Sequence, residues 1–173
     1  MKNNDFVLVL GSKPSSPIPN IKVDYVYAAN AAIEVANYYK SKYPNTKIIS
    51  VVSKKALQKI FEVQKRIISS PPDILISRNG KISLENLNFN KNFKYIFFSN
   101  FEQLLFQSKF FKYGIIDIIF NETFYWKKIN KKIYFFIKSL LAMRMLGVST
   151  GFFSILIALK EHPNKKIIVS GIG

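Results

Sequence analysis

The feature that most constrains this chain is a series of short apolar runs of strand length, set between stretches with helical spacing. Phe6–Leu10 (FVLVL) opens the series and leads into Gly-Ser-Lys-Pro-Ser-Ser-Pro, a sequence that builds loop and no regular element. Residues 23–27 predict a second strand, ending at Ala28-Ala29-Asn30. A helix is expected over 31–42, with Ala32, Val35, Ala36 and Tyr39 on one face and Pro44 closing it. Residues 48–52 (IISVV) form a third buried run, and Ser53 is placed to cap one helix through Ile67, carrying Leu57, Ile60, Phe61 and Gln64 on neighbouring turns. Ser69-Ser70-Pro71-Pro72 breaks the chain before a strand over 74–77 and an Arg78-Asn79-Gly80 turn.

The second half continues the alternation. Residues 95–98 read as a strand and 100–112 as a helix, whereas 115–120 fit either state because so short an apolar run does not reveal its period. Residues 126–146 predict a helix with a basic face (Lys127, Lys128, Lys131, Lys132, Lys138) opposite Ile129, Ile133, Phe136, Ile137, Leu140 and Leu141. A nearly all-apolar helix over 150–160 and a strand over 167–170 close the chain. Strands alternating with helices imply an α/β, Rossmann-like fold with a mainly parallel sheet and helices on both faces. With 173 residues, 49% of them hydrophobic, one core and one domain spanning 1–173 are expected.

Composition excludes several classes of chemistry. The absence of cysteine rules out disulfides, thiolate metal sites and a cysteine nucleophile. The apolar run near the N-terminus is too short for a signal peptide, and the apolar region 144–160 falls short of the roughly 18–20 residues that span a bilayer, so a cytoplasmic location is expected. A formal charge of +16 suggests nucleic acid, but only Arg66, Arg78 and Arg144 of the 26 basic residues are arginines, whereas phosphate and base readout leans on the guanidinium fork. Abundant Asn, Ile, Phe and Lys match the codon usage of an AT-rich genome. Attraction to an anionic substrate or to the inner face of a membrane is a second meaning of the charge.

Ligands of open parallel sheets bind beyond the carboxyl ends of the strands, which draws attention to three places. The Gly11-Ser12-Lys13-Pro14-Ser15-Ser16 loop offers hydroxyls and backbone amides to a phosphate, but lacks the glycine spacing of the known phosphate fingerprints and is by itself an ordinary turn. Asn30, at the end of the second strand, presents an amide suited to a nucleobase or sugar, but taken by itself it reads first as a helix N-cap. Ser149-Thr150-Gly151 opens the apolar helix, where free amides favour anions and where simple capping is the alternative. The lone His162, between Glu161 and Pro163, reads as a solvated residue at a helix end rather than a general base.

Taken together, a strand followed by Gly-x-x-Pro-Ser, an Asn ending the next strand, and STGFFSILIALKEHPNKKIIVSGI over 149–172 resemble the bacterial sialyltransferases that use CMP-sialic acid. Ser12, Pro14 and Ser15 fall on the family's Asn-Gly-Pro-Ser, with Ser12 replacing its Asn, and Gly173 stands where the family has Asp. Residues 53–145 carry no resemblance. The likeness implies a variant glycosyltransferase A-type domain in which Gly11, Ser12, Pro14, Ser15, Asn30, Ser149, Thr150 and Gly151 contact the donor, with Ser53, Ser170 and Gly171 as further candidates. It also implies that the catalytic histidine and the phosphate-binding tyrosines follow Ser-Gly-Ile, beyond this chain, so a truncated domain with no assigned catalytic residue is expected.

Asp5, Asp24, Asp73 and Asp117 are isolated and no Asp-x-Asp occurs, which leads us to expect no metal and no cofactor, as suits a CMP-sugar donor. The expected activity is transfer of a CMP-activated acidic sugar to a glycan acceptor. A related transferase using another nonulosonic acid or nucleotide sugar is the nearest alternative. A basic α/β scaffold that binds nucleic acid or an anionic membrane surface is the alternative from another class.

Overall fold

The computed structural model describes residues 5–13, 17–85, 87–90, 92–124, 129–141 and 148–172. The strands are β1 (Phe6–Leu10), β2 (Tyr25–Ala29), β3 (Lys47–Ser53), β4 (Ile74–Arg78), β5 (Lys94–Phe98) and β6 (Lys166–Ser170). They form one sheet in the order β5-β4-β3-β2-β1-β6, and every pairing is parallel. A parallel sheet needs both faces covered, which is why β1 to β4 are almost unbroken apolar sequence rather than alternating.

On one face α1 (Ile33–Lys42) lays Ile33, Ala36 and Tyr39 on Leu8, Leu10, Val26, Ala28, Ile48 and Val52. Val35, expected on the buried face, is instead partly exposed, because a 3-10 turn over Asn30–Ala32 precedes the helix and rotates Ile33 inward. The same core takes in α2 (Lys54–Lys59) and α3 (Phe61–Ser69) through Ala56, Leu57, Val63 and Ile67. Here the single helix expected from Ser53 to Ile67 is corrected. Ile60 adopts extended backbone (φ −108°, ψ 98°), which ends α2 and restarts the helix as α3, leaving Ile60 and Phe61 exposed.

The opposite face is covered by α7 (Thr150–Glu161), whose Phe153, Leu156, Ile157 and Ala158 pack on Val7, Val9, Tyr27, Ile49, Val51 and Ile76. Burial of each large apolar side chain stabilises the domain by about 1.5–3 kcal/mol, so α7 is held by packing far more than by its own propensity. Beside it α4 (Asn100–Phe111) starts on a capping box between Ser99 and Glu102 and ends at Lys112 in the left-handed region. The ambiguous run at 115–120 belongs to a helix, α5 (Ile115–Phe124), which buries Ile119 against Leu104 of α4 and Phe136 of α6 (Ile129–Leu140). The expected core face of α6 is corrected in part: Phe136 packs inward, but Ile133, Ile137 and Leu141 are more than half exposed. Among the described residues no helix is long and apolar enough to cross a membrane. The architecture is α/β and Rossmann-like.

The winding determines where a ligand can enter. From β1 the chain adds strands in one direction as far as β5, and the α4 to α7 segment then carries it back to place β6 on the other side of β1. β1 and β6 therefore flank the point where the order reverses, and their carboxyl ends open a crevice there.

Candidate functional site

That crevice is built on a close approach of two loops. Gly11, just past β1, donates its N–H to the Ser170 carbonyl at 2.7 Å, and the Lys13 N–H reaches the Gly171 carbonyl at 3.1 Å. Gly171 itself has φ 69°, a conformation costly for residues with a Cβ. The result is a cleft of about 430 Å³ lined by Gly11, Ser12, Lys13, Ala29, Asn30, Ser149, Thr150, Gly151, Gly171 and Ile172. Three stretches singled out along the sequence thus share one cavity. Pro14 and Ser15 lie outside the described residues.

Each wall has a local cause. Asn30 adopts φ 49°, left-handed backbone that Asn tolerates better than most residues, and this turns the chain from β2 into the 3-10 turn. The N-cap of that turn is Ala29 rather than Asn30, and among the described residues the buried Asn30 Oδ1 has no hydrogen-bond partner. Ser149 caps α7 by accepting the Phe152 N–H at 3.3 Å, and the Ser149 carbonyl takes the Phe153 N–H at 2.9 Å. The amides of Thr150 and Gly151 face the N-terminal end, where a helix has no acceptors of its own and carries partial positive charge. Gly151 also sits tightly, since a Cβ there would meet the Ile172 side chain at 3.3 Å.

Two of the anticipated residues stand apart from the cleft. Ser53 spends its hydroxyl on α2, accepting the Ala56 N–H at 3.0 Å, and is not among the lining residues. Ser170 donates to the Pro17 carbonyl at 2.7 Å and so ties the first loop to β6 rather than facing a ligand.

His162 lies at the other end of α7, remote from Thr150 along the helix, and it is not the solvated residue expected. Its Nε2 is 3.2 Å from the Tyr27 hydroxyl and its ring rests 4.3 Å from that of Tyr25. Burial, helped by nearby Lys165, lowers its pKa, while burial pushes the Tyr27 phenol well above its usual range. This pair borders a second cavity of about 450 Å³ over the amino ends of the strands, lined also by Ile49, Ile76, Phe98 and Ile157.

Sequence reasoning missed Arg78. Placed in a turn from its Asn-Gly neighbours, it is instead the last residue of β4 and fully buried. Its Nε donates to Gln103 Oε1 at 3.0 Å, its Nη1 lies 3.5 Å from Thr150 Oγ1, and the guanidinium sits 5.2 Å from the centre of the Phe153 ring. Asn79 (φ 69°) joins the same polar group through Asn100 and Gln103. The signal in the sequence was one of only three arginines in a lysine-rich chain, at the end of an apolar strand. Among the described residues no group of three or more His, Cys, Asp or Glu side chains is arranged to hold a metal ion.

Compared with known proteins, the chain matches no family model, no curated protein and no solved structure.

Proposed function

We propose that the chain is the donor-binding domain of a sialyltransferase-like glycosyltransferase, taking a CMP-activated acidic sugar into the cleft between Gly11, Asn30 and Thr150. The observation that carries this reading is convergence. The loop after β1, the end of β2 and the start of α7 are far apart in sequence, yet all three line one cavity at the point where strand order reverses. Its volume of about 430 Å³ falls within the range of small-molecule sites. The amides of Thr150 and Gly151 suit the donor phosphate. The unpartnered Asn30 Oδ1 is an acceptor that matches the exocyclic amine of cytosine.

In the proposed transfer, an acceptor hydroxyl oxygen bonds to the anomeric carbon as the bond from that carbon to the phosphate oxygen breaks, and CMP leaves with the electron pair. Fixed donors at the helix start would stabilise the charge that gathers on the departing phosphate. Titration calorimetry with CMP, UMP and inorganic phosphate tests the reading. Tighter binding of CMP than of either competitor is expected, whereas equal affinity for CMP and phosphate would overturn it. A uridine preference would redirect it to another nucleotide sugar, and binding of single-stranded DNA that collapses with salt would favour the nucleic-acid scaffold.

A peripheral contact with anionic lipid is a compatible second reading, favoured by α6. Ile133, Tyr134, Ile137 and Leu141 form an exposed apolar stripe, with Lys131 and Lys138 beside it in a chain of formal charge +16. Amphipathic helices of this make-up lie in the headgroup region of anionic bilayers. Co-sedimentation with phosphatidylglycerol vesicles but not phosphatidylcholine vesicles is expected, and it should be lost in Ile133→Ser/Ile137→Ser. Equal pelleting of that variant would remove the role of α6.

A further inference from the structure

Among the described residues the buried guanidinium of Arg78 has no counter-ion. It is 0% exposed, and among the described residues no carboxylate lies within ion-pairing distance and Nη2 has no hydrogen-bond partner. Burial lowers its pKa only to about 10, so it remains charged at neutral pH. A charge withdrawn from water without compensation is costly, and folded proteins pair such charges. The described residues supply Gln103 and the face of Phe153, both neutral.

The orientation shows where compensation can come from. Nη1 is 3.5 Å from Thr150 Oγ1, and Thr150 is both the first residue of α7 and part of the cleft wall. Ser154 donates its own hydroxyl to the Thr150 carbonyl, so it makes no demand on Thr150 Oγ1. If the hydroxyl accepts from Arg78, its own hydrogen is left to donate outward, alongside the amides of Thr150 and Gly151. We propose that Arg78 is the positioning charge of an anion subsite at the start of α7, acting through Thr150 on a phosphate group bound in the cleft. The subsite rests on the donor-binding reading only for the nucleotide that carries the phosphate. Its chemistry, a buried cation behind a hydroxyl and two helix amides, fits a phosphoryl oxygen and gives nothing to an uncharged nucleoside.

The experiment compares CMP, cytidine and inorganic phosphate by titration calorimetry at constant ionic strength, on the wild type, Arg78→Met, Arg78→Lys and Thr150→Val. The wild type should bind CMP about 10- to 100-fold tighter than cytidine, the range of a charge-assisted contact. In Arg78→Met the ratio should fall to within about 3-fold, with cytidine affinity unchanged, and Arg78→Lys should recover part of it by restoring the charge. Arg78→Met should melt no lower than the wild type without ligand, since it removes a lone buried charge, and should lose the stabilisation that phosphate gives the wild type. A merely structural Arg78 would give the reverse: a lower melting temperature and an unchanged ratio, which overturns the proposal. Should Arg78→Met fail to fold, Thr150→Val keeps the helix amides and removes the hydroxyl, and an unchanged ratio there is equally fatal. Equal wild-type affinity for CMP and cytidine would overturn the subsite while leaving nucleotide binding in place. Arg78-dependent phosphate binding without CMP binding would support the subsite and defeat the donor reading.

Discussion

A Cβ placed on Gly11 would lie 2.0 Å from the carbonyl oxygen of Gly171 and 2.4 Å from its carbon. Both atoms are backbone, held by the Gly11 to Ser170 and Lys13 to Gly171 hydrogen bonds, so no side chain can swing aside. Gly11→Ala must therefore push β1 and β6 apart at the mouth of the cleft. Overpacking of this kind costs about 1–3 kcal/mol, and a fall in melting temperature of roughly 2–10 °C together with weakened CMP binding is expected. Retention of both wild-type values in a thermal melt and a titration would show that the loops can separate freely.

Tyr39 anchors the entry to β2 from inside the core. Its hydroxyl accepts the Val23 N–H at 3.0 Å and donates to the Ile21 carbonyl, while the ring is fully buried. Tyr39→Phe keeps the packing but strands a buried donor and a carbonyl, which should cost about 1–3 kcal/mol in urea unfolding with little change in the dependence on denaturant. A loss under about 0.5 kcal/mol would mean that water replaces the hydroxyl.

The distinction between Arg78 and the three cleft segments shows what the sequence can and cannot convey. FVLVL, IISVV and the helix after Ser149 announce themselves because burial on both sheet faces demands continuous apolar residues, and that alone implies the parallel sheet and the edge where ligands bind. Arg78 was hidden because its role depends on Gln103 and Thr150, 25 and 72 residues away, and local chemistry places an Arg-Asn-Gly sequence in a solvated turn. The break at Ile60 was hidden for a similar reason. Nothing in Lys-Lys-Ala-Leu-Gln-Lys-Ile-Phe disfavours a continuous helix, and the interruption comes with the burial of Val63 and Ile67 in the core that α3 shares with α1 and the 3-10 turn. His162 looked solvated because its neighbours Glu161 and Pro163 are typical of a helix end, whereas Tyr25 and Tyr27 reach it across the sheet.

His162 gives the stability a pH signature. Its folded pKa is lowered by burial first and by Lys165 second, so the fold favours the neutral ring. The stabilisation is complete above the unfolded pKa of about 6.5 and is lost as pH falls through that value toward the lower folded one. Melting temperatures between about pH 7.5 and pH 5 should therefore drop further for the wild type than for His162→Gln, which can still meet the Tyr27 hydroxyl but does not titrate. Parallel curves would dissociate the acid sensitivity from His162.

CMP affinity is expected to be the same in magnesium and in EDTA. No Asp-x-Asp occurs in the chain, and the residues lining the cleft include no carboxylate to hold a bridging ion. A strict requirement for a divalent cation would point away from a CMP-sugar and toward a diphosphate donor.

Asn30 and Ser53 both follow strands, and the structure gives them opposite tasks, which a paired substitution can separate. Ser53 accepts from the Ala56 N–H and caps α2, so Ser53→Ala should lower stability by about 1 kcal/mol and leave CMP affinity unchanged. Asn30 is not the N-cap of the turn it opens, and among the described residues its buried Oδ1 has no hydrogen-bond partner, which costs stability in the absence of ligand. Its conformation must be preserved in any test, because φ 49° is tolerated by glycine more readily than by alanine. Asn30→Gly is therefore the informative variant: it keeps the backbone, removes the unpartnered Oδ1 and should be close to neutral in a thermal melt. CMP binding should nevertheless weaken by about 5- to 10-fold, as for loss of one neutral hydrogen bond to a buried ligand group. The decisive comparison is between the two variants, since Ser53→Ala should be less stable yet bind normally, and Asn30→Gly equally stable yet bind poorly. If Asn30→Gly instead binds CMP like the wild type, the nucleobase does not reach Asn30, and the ligand must occupy only the Gly11 and Thr150 side of the cleft.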